Sequence, residues 1–176
     1  MYLNRSERAR FLSLSEKLAA ADRLFCVVLA FTGCRISEAL ATTVDLVDDT
    51  DCVVIFKSLK KRERREFRAV PVPPSVIAEL KEYIRAAGLE QSDRLWPWSR
   101  TTGWSKVKGV MSAAKIVGAH ASPKGLRHGF GVNAIQCGVA LSLVQKWLGH
   151  AKMETTAIYA NAVGEEERLI ASRMWG

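Results

Sequence analysis

Residues 24–31 read Leu-Phe-Cys-Val-Val-Leu-Ala-Phe, a run that is apolar on every side of a helix. A segment with no polar face has nothing to give to water, so it belongs at the centre of whatever core the chain builds. The rest of the fold has to be arranged around it. Asp22 stands where it can cap the start of such a helix, and Gly33 where it can end it. Immediately afterwards comes TGCRISEAL, which puts Arg35 at the first turn of a short helix beside the buried one. From this stretch alone Arg35 has two readings, an ion pair with Glu38 three residues on or a cation for an anionic ligand.

Upstream, Asn4 precedes Glu7 by three residues, the signature of a capped helix start, and Phe11, Leu12, Leu14 and Leu18 recur at helical spacing over residues 4–20. Downstream the pattern changes to strands. Val44–Val47 reads as a short strand, and Asp48-Asp49-Thr50-Asp51 as a turn. The β-branched stretch Cys52–Phe56 reads as a second strand, with Phe67–Val72 as its antiparallel partner. Helical spacing then returns. One helix starts at Pro73-Pro74-Ser75 and runs to Gly88, and another covers Thr102–Val117 with Trp104, Val107, Val110 and Met111 inward. Between them Leu95-Trp96-Pro97-Trp98 forms a loop that plugs the core. A single α+β domain follows, mostly helical with a small antiparallel sheet.

Charge is distributed unevenly. The chain of 176 residues carries 26 Lys and Arg against 18 Asp and Glu, a net +8. From Lys57 to Arg68 there are seven basic and two acidic residues, so more than half of the excess sits on one hairpin. A charge run is usually a solvated loop, but this density of one sign at a hairpin tip favours contact with a polyanion. Lys57, Lys61, Arg62, Arg64, Arg65 and Arg68 are therefore candidate DNA-phosphate contacts. The four cysteines, Cys26, Cys34, Cys52 and Cys137, lie in or beside apolar runs without metal-ligand spacing and read as buried reduced thiols. No apolar run is long enough to span a bilayer, and the first residues are too polar for a signal peptide, so a cytoplasmic protein is expected.

The last third of the chain concentrates polar residues at fixed intervals. Ser122-Pro123 starts a helix that carries Lys124, Arg127 and His128 and runs to Cys137. Lys124 and Arg127 are three apart and share a face near a helix N-terminus, where an anion is welcome. A helix from Leu141 to Leu148 ends at Gly149, and His150 follows, 23 residues after Arg127. Tyr159 comes nine residues later, on a short helix over Met153–Ala160. A final amphipathic helix runs from Glu165 to Trp175.

TGCRISEAL, KGLRH, LGH and TTAIYA, in this order and with a basic hairpin between the first two, resemble the catalytic domain of tyrosine recombinases, the phage integrase family with its Xer-like members. Each motif is short, but the ordered set covers nearly the whole chain. The resemblance implies that Arg35 and Arg127 are the two active-site arginines, His150 the third-cluster residue and Tyr159 the nucleophile. It also implies a hairpin lysine, for which Lys60 fits best and Lys57 and Lys61 are alternatives. Lys124 occupies the position where the family most often has histidine. It keeps the positive charge but is a poorer proton shuttle near neutral pH. His128 is expected to be structural.

Residues 1–176 would then be one catalytic domain, without the N-terminal helical domain that closes the family's clamp around DNA. The resemblance further implies strand breakage and rejoining through a 3′-phosphotyrosyl link, with no cofactor, metal or ATP. Double-stranded DNA is the expected partner. A tetramer on DNA is expected, with residues 165–176 docking on a neighbouring protomer, and a monomer or weak oligomer when free. A non-catalytic DNA-binding protein on the same scaffold and a type IB topoisomerase are the alternatives.

Overall fold

The computed structural model describes residues 2–58, 67–150 and 152–157. At its centre is the apolar run, now helix α2 (Ala20–Thr32), with Leu24, Phe25, Cys26, Val28, Leu29 and Ala30 buried. Helix α1 (Arg5–Ser15) packs on it, opened by the expected capping box in which Asn4 Oδ1 accepts from the Glu7 N–H and Glu7 accepts from the Asn4 N–H. Helices α3 (Ile36–Leu40), α4 (Pro74–Ala87) and α6 (Pro123–Gln136) also pack against α2. Helix α5 (Arg100–Ala113) lies on α1, α3 and α6. The loop before α5 plugs the core as expected: Trp96 is fully buried, its ring edge-on to Phe25 at 5.2 Å, and its Nε1–H donates to the Ala21 carbonyl at 2.9 Å.

Strands β1 (Val47–Asp48), β2 (Val53–Lys57) and β3 (Phe67–Pro71) form a three-stranded antiparallel sheet in the order β1-β2-β3. Val54 pairs with Val70 and Phe56 with Arg68. Their side chains share the buried face, while Phe67 and Pro71 point outward. Helices α7 (Leu141–Leu148) and α8 (Glu154–Ala157) close the described chain. Helix α7 packs on α6, β3 and α8. Phe130, Val132, Ala134, Val144 and Leu148 make a second, smaller cluster between α6 and α7, set apart from the main core around α2.

Four expectations change. Val44–Leu46 is a turn of 3-10 helix, leaving only Val47 and Asp48 to pair with β2, because the Val44 and Asp45 N–H groups are taken by the carbonyls of Asp93 and Gln91. Asp22 is not the cap of α2, which starts two residues earlier; it lies in the first turn and holds Lys106 at 2.7 Å. Trp104 faces outward, 46% exposed, because Gly103 takes the inward position against Phe25 and leaves no room for an indole there. Of the cysteines, Cys26 and Cys34 are buried, and burial pushes both thiols up to about 12; Cys52 is half-buried and Cys137 exposed.

Candidate active site

Arg35 caps the start of α3. Its N–H donates to Glu38 Oε2 at 2.7 Å, and its Nη1 to Glu38 Oε1 at 2.7 Å. The Arg35 side chain keeps 26% of its surface, whereas that of Glu38 keeps 1%. The ion pair and the ligand-binding reading are therefore compatible: the carboxylate is sealed beneath a guanidinium that still meets solvent.

Glu38 has a second partner. Arg68 on β3 donates Nη2 to Oε2 at 2.6 Å and Nη1 to Oε1 at 3.2 Å, a bidentate fork, while its Nε donates to the Trp147 carbonyl at 2.7 Å. Burial alone would raise the Glu38 carboxyl, but the hydrogen bonds and charge of Arg68, then those of Arg35, outweigh it and hold the group below its ordinary range. Arg68 is thus not the outward phosphate contact expected of the hairpin. Its side chain is 8% exposed and lies 5.3 Å from the centre of the Phe56 ring. The alternation of Arg68, Val70 and Val72 onto one face was the sequence signal for this; a summed charge does not record which face a strand residue takes.

Arg127 comes from the second turn of α6, whose start is fixed by Ser122 Oγ accepting from the Gly125 N–H at 3.2 Å. Gly125 is there because nothing larger fits. A Cβ at that position would sit 1.8 Å from the His120 carbonyl oxygen. Arg127 is buried, with Nη1 donating to the Gly33 carbonyl and Nη2 to the Leu148 carbonyl, each at 2.7 Å. One guanidinium thereby joins the C-terminal ends of α2 and α7, the two points from which Arg35 and His150 leave.

Gly149, in the left-handed region at φ 64°, ends α7, and a Cβ there would come within 3.0 Å of Arg68 Nη1. His150 follows, half-buried, with Nδ1 at 3.0 Å from Thr156 Oγ1. Its ring is pushed down to about 4, first by burial and then by Arg127, Arg35, His128 and Arg68. The bonds of Arg127 to the Gly33 and Leu148 carbonyls, and of Arg68 to Glu38 and the Trp147 carbonyl, bring the backbone just before Arg35 and just before His150 to one locus. His150 is neutral at pH 7, and because the Thr156 hydroxyl can donate or accept, its other nitrogen is a donor or an acceptor according to the tautomer. Thr156, within TTAIYA, is fully buried and was not singled out from the sequence.

Lys124 is exposed on the first turn of α6. It lies close enough to His128 that, after burial, its charge is the next influence lowering that ring. Lys57 ends β2, half-buried. Lys60, Lys61, Arg62, Arg64, Arg65 and Tyr159, together with residues 165–176, lie outside the described residues. Among the described residues no group of three or more His, Cys, Asp or Glu is placed to hold a metal ion, and no helix is long and apolar enough to cross a membrane.

Two basic side chains and a neutral histidine on converging helix ends have the chemistry to hold a tetrahedral oxyanion. The model of the phage integrase family matches residues 2–166. The chain belongs to the phage integrase family. It is 32% identical over 159 residues to tyrosine recombinase XerD of Pseudomonas aeruginosa, covering 84% of this chain and 52% of that protein. To tyrosine recombinase XerA of Pyrococcus furiosus it is 27% identical over 169 residues, covering 93% and 58%. It therefore spans a little over half the length of these curated relatives. Among solved structures, the XerH site-specific recombinase bound to its difH substrate, a pre-cleavage complex, aligns with TM-score 0.80 and 26% identity, over 99% of this chain and 54% of that one. The catalytic domain of bacteriophage HP1 integrase has the same fold at TM-score 0.73 and 20% identity, with 97% and 93% covered. The expected fold class, α+β and mostly helical around a small antiparallel sheet, is thereby established.

Proposed function

We propose that this chain is the catalytic domain of a tyrosine-type site-specific recombinase that breaks and rejoins double-stranded DNA through a covalent 3′-phosphotyrosyl intermediate on Tyr159. The observation that carries the reading is that Arg127 ties together the carbonyls of Gly33 and Leu148, two residues before Arg35 and His150, in a chain of this family. The substrate class is supported by the relative whose structure holds its DNA substrate.

A phosphodiester repels a nucleophile and gains charge on its non-bridging oxygens as it reacts. Arg35 and Arg127 stabilise that charge, and they do so from fixed positions, since Glu38 and two backbone carbonyls already hold their guanidinium groups in place. A Tyr phenol has a pKa of about 10 in water, so Tyr159 needs a base or positive surroundings to attack. His150, neutral and anchored through Thr156, supplies a hydrogen bond to the phosphate or takes the phenolic proton, as its tautomer dictates. The departing 5′-oxygen takes a proton from the hairpin lysine, Lys60 in our assignment. Lys124 adds positive charge at the position where the family most often has histidine. The bond energy kept in the phosphotyrosyl link lets another strand's 5′-hydroxyl reverse the step. Assembly as a tetramer on DNA, through residues 165–176, belongs to the same proposal.

The test is a nicked suicide duplex carrying a candidate site from the neighbourhood of the gene, incubated with the protein and with Tyr159→Phe. A covalent protein–DNA band in denaturing gels from the unsubstituted protein alone is the expected result. Absence of that band, with DNA still shifted in a native gel, would replace the enzyme by a DNA-binding protein on the same scaffold.

A further inference from the structure

Arg68 lies outside the set of residues that touch the phosphate in the proposed reaction, yet it is joined to two of them. One edge of its guanidinium grips both oxygens of Glu38, which in turn hold the Arg35 N–H and Nη1. Its Nε holds the carbonyl of Trp147, three residues before His150. Gly149 lies directly against it, close enough that a single added carbon would touch Nη1 at 3.0 Å. Arg35 stands on α3 and His150 beyond α7, elements far apart in the chain.

We infer that Arg68 is a positioning residue for the recombination reaction, a strut from the sheet that fixes the spacing between Arg35 and His150 by clamping Glu38 on one side and the Trp147–Gly149 turn on the other. The inference rests on the reading that Arg35 and His150 act on the phosphate. A mere counter-charge for Glu38 would need only the carboxylate bonds, and Arg35 already supplies one positive partner. The bond to the Trp147 carbonyl and the packing on Gly149 are what a strut requires and a counter-charge does not. Lysine cannot replace it, because a point-like ammonium cannot present a fork to Glu38 and a separate N–H to Trp147 in one plane. The cation–π contact with Phe56 and the burial of the side chain fix the guanidinium from behind.

Arg68→Lys and the double variant Arg68→Met/Glu38→Gln test this. The lysine keeps the charge; the double variant removes both charges together, so neither is left buried alone. Single-turnover cleavage of the suicide duplex should slow about 100-fold in both, the effect expected of a displacement of roughly 1 Å at a reacting centre. DNA binding in a native shift should stay as in the parent, which separates positioning from loss of fold or affinity. Cleavage at the parental rate by either variant would overturn the inference, since charge neutralisation would then account for Arg68. Should Arg68→Lys fail to fold, the double variant carries the same decision. If the parent itself forms no covalent adduct, the functional reading fails, and the strut is judged by the NMR signals of His150 in the two variants. Displaced backbone and ring signals uphold it; unchanged signals overturn it.

Discussion

Glu38 and His150 are titratable residues of opposite kind, and the site lowers the pKa of both. Glu38 is held below its ordinary value by Arg68 and Arg35 against the opposing effect of burial, and His150 is pushed down to about 4 by burial and its cationic neighbours. Each protonates more readily in the unfolded chain than in the folded one, so each contributes stability that is complete above the unfolded pKa and lost as pH falls. For His150 the loss runs from its ordinary value of 6.5 down to about 4; for Glu38 it begins near 4.5 and continues through its lower folded value. Urea unfolding followed from pH 7 to pH 3 should therefore show stability falling from the upper end of that range, not only at acid pH. In His150→Gln the decline above pH 4.5 should become shallower, with His128, whose ring is also lowered by burial, supplying the remainder, while the acid limb stays. If both limbs persisted unchanged in that variant, His150 would not be the group responsible. The sequence brought Arg35, Arg127, Lys124 and His150 to notice, and it offered Glu38 as a partner for Arg35. It did not reveal that Glu38 serves two arginines, because Arg68 lies 30 residues away and their meeting depends on how the sheet packs against α3.

At the scale of the element, the basic hairpin divides into two parts with different work. Its strands are legible from alternation: Val54 and Phe56 on β2, and Arg68 and Val70 on β3, face inward, and this face decides that Arg68 serves the protein's interior. The sequence reading counted Arg68 among the DNA contacts because a sum of charges is blind to the two-residue period of a strand. The connecting segment, with Lys61, Arg62, Arg64 and Arg65, keeps the proposed role of phosphate contact. Each phosphate neutralised by a basic side chain contributes about 0.9 to the slope of log affinity against log salt. Replacing those four residues with serine should lower the slope by about 3.6 if all four reach phosphates, while Arg68→Met should leave it unaltered. Native shift titrations between 50 and 200 mM salt, about the range in which such slopes are read, provide the check. A slope that does not move on replacement of the four would remove the hairpin from the interface. Helix boundaries were legible where a cap or glycine marks them, as at Asn4, Gly33, Gly88, Ser122 and Gly149. They were missed where tertiary contacts decide, as with Val44, whose backbone is claimed by the loop at Asp93.

At the scale of the whole molecule, the site spans a boundary between two unequal bodies of packing. Arg35 leaves from α3 beside α2, within the large core that contains Phe11, Phe25, Trp96 and Leu80. His150 leaves from α7, whose buried contribution is Val144 and Leu148 in the smaller cluster with Phe130, Val132 and Ala134. Apolar burial is the main favourable term in folding, so the smaller cluster resists opening less. Polar ties compensate in part: Arg127 binds the Leu148 carbonyl, and Arg68 binds that of Trp147. Helix α7 has no side-chain cap at Ala140 and leaves Leu143 largely exposed, which adds nothing to its stability. Hydrogen exchange under native conditions should therefore place α7 amides in a less protected class than those of α2, by about tenfold or more, the equivalent of about 1.4 kcal/mol. Arg68→Lys should widen that gap by loosening α7 and leaving α2 as it was, because the strut reaches only the former. DNA that engages Arg35 and His150 together should narrow it, since one phosphate would then bridge both bodies. Equal protection of the two helices in the free protein would mean that the polar ties, and not the apolar clusters, set the stability of this half of the site.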